Sequence, residues 1–352
     1  MNIVDKLEIV NFRCHSKFSL EFPDQTTLII GSNGSGKTSL IEAIYLTLRG
    51  KSFKSTDENI IKRGAESYSV RTHLSDFTTH TVHYKRAIDK RVFIVDDKQT
   101  KRLPVKHRYP IVLFEPDDLN LIHSSPTRRR NFIDNLVCQV DPFFNKSLIK
   151  YDKSLKQRNA ILKDDNLDRN RLFPWDVAIA KYGSEITATR HEYIDRINQR
   201  IEATYHSISN NPDQISLRYN GPSLNESEFL QELDKNFYRD HATGFTSFGP
   251  HRDDITISFN TSLASESASR GETRSIVLAL KFIEAELIQE QLGHSPLILL
   301  DDIFSELDET RQTHLITNFK NHQTIITSVT IPDKKSKKHS INVVDLASTA
   351  SP

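Results

Sequence analysis

The chain has 352 residues, 37% hydrophobic and 26% charged, with a formal net charge of +1. That is the balance of a globular protein with room for two or three lobes of about 150 residues each, and it excludes a disordered chain. Cys14 and Cys138 make neither a disulfide framework nor a metal pattern, no apolar run approaches the roughly 20 residues of a membrane span, and MNIVDKLEIV lacks the basic start and apolar core of a signal peptide, so a reducing cytosol without membrane attachment is expected.

In chain order, Leu7 and Ile9 and then Phe18, Leu20 and Phe22 alternate, which predicts two strands leading into a third. TTLII (Thr26–Ile30) is a β-branched apolar run and reads as a buried strand. The next stretch is GSNGSGKT: Gly31, Ser32, Asn33, Gly34, Ser35, Gly36, Lys37 and Thr38. It fits G-x-x-x-x-G-K-[ST], whose glycines let backbone N–H groups turn inward around phosphate oxygens. Lys37 supplies a charge for the β- and γ-phosphates of ATP, and Thr38 a hydroxyl for Mg2+. Leu40, Ile41, Ile44, Tyr45 and Leu48 fall on one face of a following helix, whose positive end adds to the cradle.

Residues 51–66 are polar and read as a loop, residues 70–95 as further strands, and Ile111–Pro116 as a buried strand ended by proline. The period then becomes helical. Leu148, Tyr151, Leu155 and Leu162 share one face, and Ile186, Ile194, Ile197, Ile201, Tyr205 and Ile208 another. The charged stretch 164–175, broken by Pro174, predicts the bend of an antiparallel helical hairpin. Strands return at ISLRYNG and at DITISF (Asp254–Phe259).

PLILL (Pro296–Leu300) is a fully apolar strand followed by Asp301 and Asp302. An acidic group at such a strand end can hold the Mg2+ of a nucleotide, which assigns Asp301 to the metal and Asp302 to the attacking water, with Lys37 the second catalytic candidate. A whole lobe separates this element from the phosphate loop, the layout of ABC-type ATPases. SRGE (Ser269–Glu272) opens a helix about 30 residues ahead, where Ser269 and Gly271 offer an N-terminal anion site or a plain cap. In ABC ATPases that signature meets the γ-phosphate held by the opposite subunit, and SELD (Ser305–Asp308) matches the D-loop of the same interface.

PDDLNLIHSSPTRRRNFID (Pro116–Asp134), LLDDIFSELDETRQTHL (Leu299–Leu315), GKSFKSTDENIIKRG (Gly50–Gly64), YDKSLKQRNAIL (Tyr151–Leu162) and FGPHRDDI (Phe248–Ile255) together resemble the RecF family of SMC-like ABC ATPases over nearly the whole chain. The chain departs from the pattern at Ser124, where glycine is usual, at Glu272, where signatures commonly carry glutamine, and near Thr327, where no switch histidine follows the strand. The resemblance implies an α/β fold: an ABC-type P-loop ATPase lobe with mixed sheet, plus an inserted, mostly helical lobe with a short antiparallel hairpin. The expected divisions are 1–115, 116–239 and 240–352. It also implies slow ATP hydrolysis, an ATP-dependent homodimer, binding of double-stranded and gapped or junction DNA, and work with RecR and RecO to load RecA. A short SMC-like structural ATPase is the alternative. Arg128, Arg129 and Arg130 can neutralise phosphates or pair with acidic neighbours, and DKKSKKH (Asp333–His339) is a solvated loop or a DNA-facing patch.

Overall fold

The computed structural model describes residues 3–23, 25–164, 168–329 and 341–346. The lysine-rich stretch Asp333–His339 lies outside them. The chain divides into two compact units: Met1–Leu119 with Glu284–Pro352, and Asn120–Ile283. No described helix is long and apolar enough to cross a membrane.

The first unit holds two sheets. One is five-stranded and wholly parallel, in the order Ile341–Asp345, Thr26–Ile30, Thr324–Ser328, Leu297–Asp301, Ile111–Phe114. All five residues of Leu297–Asp301 and of Thr324–Ser328 are buried, which is why these strands read as unbroken apolar runs. The other sheet is six-stranded and antiparallel, in the order His15–Glu21, Val4–Phe12, Ser67–Leu74, Thr79–Lys85, Lys90–Val95, Lys98–Thr100. The two N-terminal strands therefore precede the phosphate strand in sequence but belong to a different sheet. Gln323 ties the two together: its side-chain carbonyl accepts from Ile3 and Val4 N–H at 2.7 and 2.8 Å, and its Nε2 donates to Val4 O at 2.6 Å.

Helix Lys37–Arg49 touches strands of both sheets and seals Leu40, Ile41, Ile44 and Leu48 completely from solvent. At about 1.5–3 kcal/mol per buried side chain, this apolar face anchors the helix, and the phosphate loop at its start, to the core. Gly50, at φ 76°, ends it by donating to Leu46 O.

In the second unit Pro142–Ile161 and Phe173–Ser209 form the expected hairpin. Ser147 meets Glu185 and Arg158 meets Asp176, so the helices run antiparallel. Each starts with proline in its first turn, and Asp141 caps the first by accepting from Phe143 N–H at 2.7 Å. Strand Ile255–Phe259 pairs antiparallel with Ile215–Tyr219, which places 240–283 with the hairpin, whereas the sequence division at 239/240 groups them with the ATPase strands. Arg129 makes a two-pronged pair with Asp254 at 2.9 and 2.8 Å, so this member of the arginine run is engaged inside its own unit.

Candidate nucleotide-binding site

Strand Thr26–Ile30 delivers the chain into the loop 31–36, and the helix begins at Lys37. Gly34 (φ 80°) and Gly36 (φ 95°) take left-handed conformations that L side chains rarely adopt. An added Cβ at Gly34 would meet open space, whereas at Gly36 it would overlap His15 Nε2 and Cys14 Sγ. Gly36→Ala is therefore expected to destabilise the first unit by about 1–3 kcal/mol and to weaken nucleotide binding, whereas Gly34→Ala meets no neighbour and costs only the strain of its left-handed φ, about 1 kcal/mol. Thermal melting and nucleotide titration of both variants check this.

Lys37 is buried, and its ammonium donates to the carbonyls of Gly31 at 2.7 Å and Ser32 at 3.0 Å, inside the loop. The Thr38 hydroxyl donates to Asp301 Oδ1 at 2.7 Å across 263 residues of sequence. Strand order explains the meeting: Thr26–Ile30 and Leu297–Asp301 flank Thr324–Ser328, and all three point the same way. Near the end of the intervening strand stands Thr327, whose hydroxyl donates to the same Asp301 Oδ1 at 2.9 Å and accepts from Asp302 N–H at 3.0 Å. Asp302 itself sits at φ 51°. Burial pushes its carboxyl up; Lys37 opposes this, and the charges of Asp301 and Glu306 add to it.

The elements enclose a cavity of about 450 Å3, lined among others by Arg13, Cys14, Asn33, Lys37, Thr38 and Asp302. Two buried oxygens, Ser35 Oγ and Asp302 Oδ1, have no hydrogen-bond partner. A glycine loop with left-handed turns at Gly34 and Gly36, a buried ammonium, an adjacent hydroxyl–carboxylate pair and a free carboxylate oxygen fit a nucleotide with its divalent cation. Thr38 and Asp301 can hold the metal and Asp302 a water.

The structure adds residues that motif reading passed over. Lys54, from the stretch read as a polar loop, reaches Asp301 Oδ2 at 3.1 Å. Arg13 grips the buried Glu42 with two bonds of 2.8 Å and donates to Asn59 O at 2.7 Å. His15 lies against Gly36 O at 3.2 Å, and its hydrogen bond to Cys14 pulls that thiol below the usual range. Single charged residues in a loop carry no periodicity that could have marked them. Ser269 and Gly271 belong to the second unit, at the start of helix Arg270–Leu292. There Ser269 N–H donates to Glu272 Oε2 at 2.7 Å and Glu272 N–H to Ser269 Oγ at 3.3 Å, a reciprocal capping box made with the glutamate that replaces the usual glutamine.

A model of the AAA domain matches residues 6–315. The DNA replication and repair protein RecF of Lachnoclostridium phytofermentans is 35% identical over 338 residues, 92% of either chain. That of Clostridioides difficile is 33% identical over 341 residues, 94% of this chain and 92% of the relative. A solved structure of the recombination mediator protein RecF with ATP, in the RecFOR pathway, superposes with a TM-score of 0.84 at 28% identity over 94% of this chain and 93% of the other. An Smc head domain from Pyrococcus furiosus, at 17% identity and a TM-score of 0.55 over 94% of this chain and 90% of the other, shares the fold. Fold and site thus define a P-loop protein with an AAA domain that shares the fold of Smc head domains. The chain belongs to the RecF family of DNA replication and repair proteins.

Proposed function

We propose that this chain is an ATP-driven DNA clamp of recombinational repair. It binds Mg2+-ATP at Gly31–Thr38 and Asp301, dimerises, and hydrolyses the nucleotide slowly with Asp302 acting on the water. The observation that carries the reading is the 2.7 Å bond between Thr38 and Asp301 beside the buried Lys37, which puts two oxygen ligands for a divalent cation next to the cradle for its phosphates. Magnesium would neutralise charge developing on the γ-phosphoryl group, while Lys37 orients the phosphates and Asp302, with a free buried oxygen, positions the water.

Ser269 and Gly271 then serve the nucleotide held by a second copy. A capped helix start carries the positive end of the helix dipole, which favours an anion. The hairpin supports this reading over a structural SMC-like one, since a first helix of 20 residues extends only about 30 Å and makes no long arm. A solved relative carries ATP and is placed in the RecFOR pathway. On this reading the partners of the chain are double-stranded and gapped or junction DNA, RecR, and through RecO and RecR the loading of RecA, in the cytoplasm.

Sedimentation with a non-hydrolysable ATP analogue tests the dimer. Wild type is expected to dimerise at saturating nucleotide and Ser269→Arg to remain monomeric while still binding it; a monomeric wild type would refute the reading. Two unrelated duplexes titrated across a salt series test the DNA contact. Binding is expected to require ATP, to ignore sequence, and to weaken with a slope of about −0.9 in log affinity per phosphate neutralised.

A further inference from the structure

Asp301 is a buried carboxylate with protein partners on both oxygens. It is 2% exposed, and its Oδ1 takes the hydroxyls of Thr38 and Thr327. Those donors are neutral. The cation is Lys54, whose ammonium lies 3.1 Å from Oδ2. A buried charge without a counter-ion is costly, so this lysine stabilises the Asp301 carboxylate.

Its anchoring is uneven along its length. The backbone is pinned: Ser52 Oγ accepts the N–H groups of Lys54 at 2.9 Å and Ser55 at 3.0 Å, and itself donates to the buried Glu42 of helix Lys37–Arg49. The side chain is 38% exposed along a four-carbon stem, and its ammonium, where it meets Asp301, also lies 5.7 Å from the Phe53 ring.

We propose that Lys54 is a tethered counter-ion that holds the metal's place on Asp301 and must be displaced for the metal–nucleotide to bind, a regulation that rests on the reading of this site as one for Mg2+-ATP. A divalent cation bound between Thr38 and Asp301 takes the carboxylate that Lys54 neutralises, and two cations on one buried carboxylate repel each other. Lys54 therefore sets a threshold: nucleotide alone leaves it in place, and metal arriving with nucleotide drives it off. A lysine does this better than an arginine, whose planar fork would grip the carboxylate at two points.

The test is a magnesium titration of the full chain with a fluorescent ATP analogue at fixed concentration, paired with melting in EDTA. Lys54→Met is expected to lower the half-saturating magnesium concentration about five- to tenfold and to lower the metal-free Tm by about 2–4 °C. Lys54→Arg is expected to raise the magnesium midpoint, which tests the idea from the other side even where the methionine variant is too unstable to titrate. A magnesium midpoint that is unchanged or raised in Lys54→Met, or lowered in Lys54→Arg, overturns the proposal. Wild type that binds nucleotide normally, with variants that share its midpoint, removes this proposal alone. Wild type that binds no nucleotide at any magnesium concentration removes the site reading and this proposal with it.

Discussion

Lys37→Met is expected to lose at least about 100-fold in ATP affinity and with it all nucleotide-driven assembly, whereas Asp302→Asn keeps both and loses turnover. Methionine preserves the length of the stem and removes the charge. The ammonium, buried and already inside the loop at 2.7 and 3.0 Å from two carbonyls, has little distance to travel to a phosphate. Each charge-assisted bond lost is worth about 1.5–3 kcal/mol, so two β- and γ-phosphate contacts account for the fall. Asp302 differs because it meets the nucleotide only through water. Asparagine is isosteric, and it tolerates the left-handed φ of 51° that this position requires. The loop should therefore stand unchanged while the proton acceptor is gone, a loss of about 10²–10⁴-fold in hydrolysis. Equilibrium binding and single-turnover phosphate release separate the two effects, and hydrolysis at the wild-type rate by Asp302→Asn would reject the assigned role.

The largest effect on stability is expected in the second unit, from Arg158→Met. This guanidinium is 1% exposed and donates to Asp176 at 2.6 Å, to Asp240 at 2.7 Å and to Thr246 Oγ1 at 2.8 Å. It joins the hairpin helix Pro142–Ile161 to both Phe173–Ser209 and Phe237–Thr243. Asp240 is wholly buried, and without Arg158 it keeps only the N–H and hydroxyl of Ser247. Removing one partner of a buried pair costs about 3–5 kcal/mol, mostly through the charge left behind. Asp176 suffers less, because it is partly exposed and burial already pushes its carboxyl up against the pull of Arg158. Trp175, the chain's single tryptophan, adjoins Asp176 and reports on this unit. Urea unfolding followed by its fluorescence should show the midpoint fall in Arg158→Met and recover in part in Arg158→Met/Asp240→Asn, which removes the stranded charge. An unchanged midpoint in the single variant would mean that water, not the protein, pays for these charges.

These cases mark how far the sequence was legible. The strand, loop and helix of Thr26–Arg49 were readable because each residue's requirement is local: positive φ at Gly34 and Gly36, an apolar stripe at Leu40, Ile41, Ile44 and Leu48, a buried run at TTLII. The same holds for PLILL before its two aspartates and for the two hairpin helices, where period alone identifies the element. Arg158 also sits at a readable helical position, yet nothing in its neighbours announces a buried cation, since its partners stand 18 and 82 residues away.

By itself, then, the sequence determined where the phosphate-loop motif, the acidic strand end and the cap at Ser269 lie, because each is a short run whose residues act together. The tertiary structure alone decided which carboxylate meets which hydroxyl and which lysine. Asp301 finds Thr38 and Thr327 because parallel strands from three distant parts of the chain end side by side, and Lys54 because Ser52 pins its loop to Glu42 of helix Lys37–Arg49. Strand order is a property of the packed core, where area buried by the whole sheet outweighs any local preference, and it leaves no periodic trace in the residues it brings together.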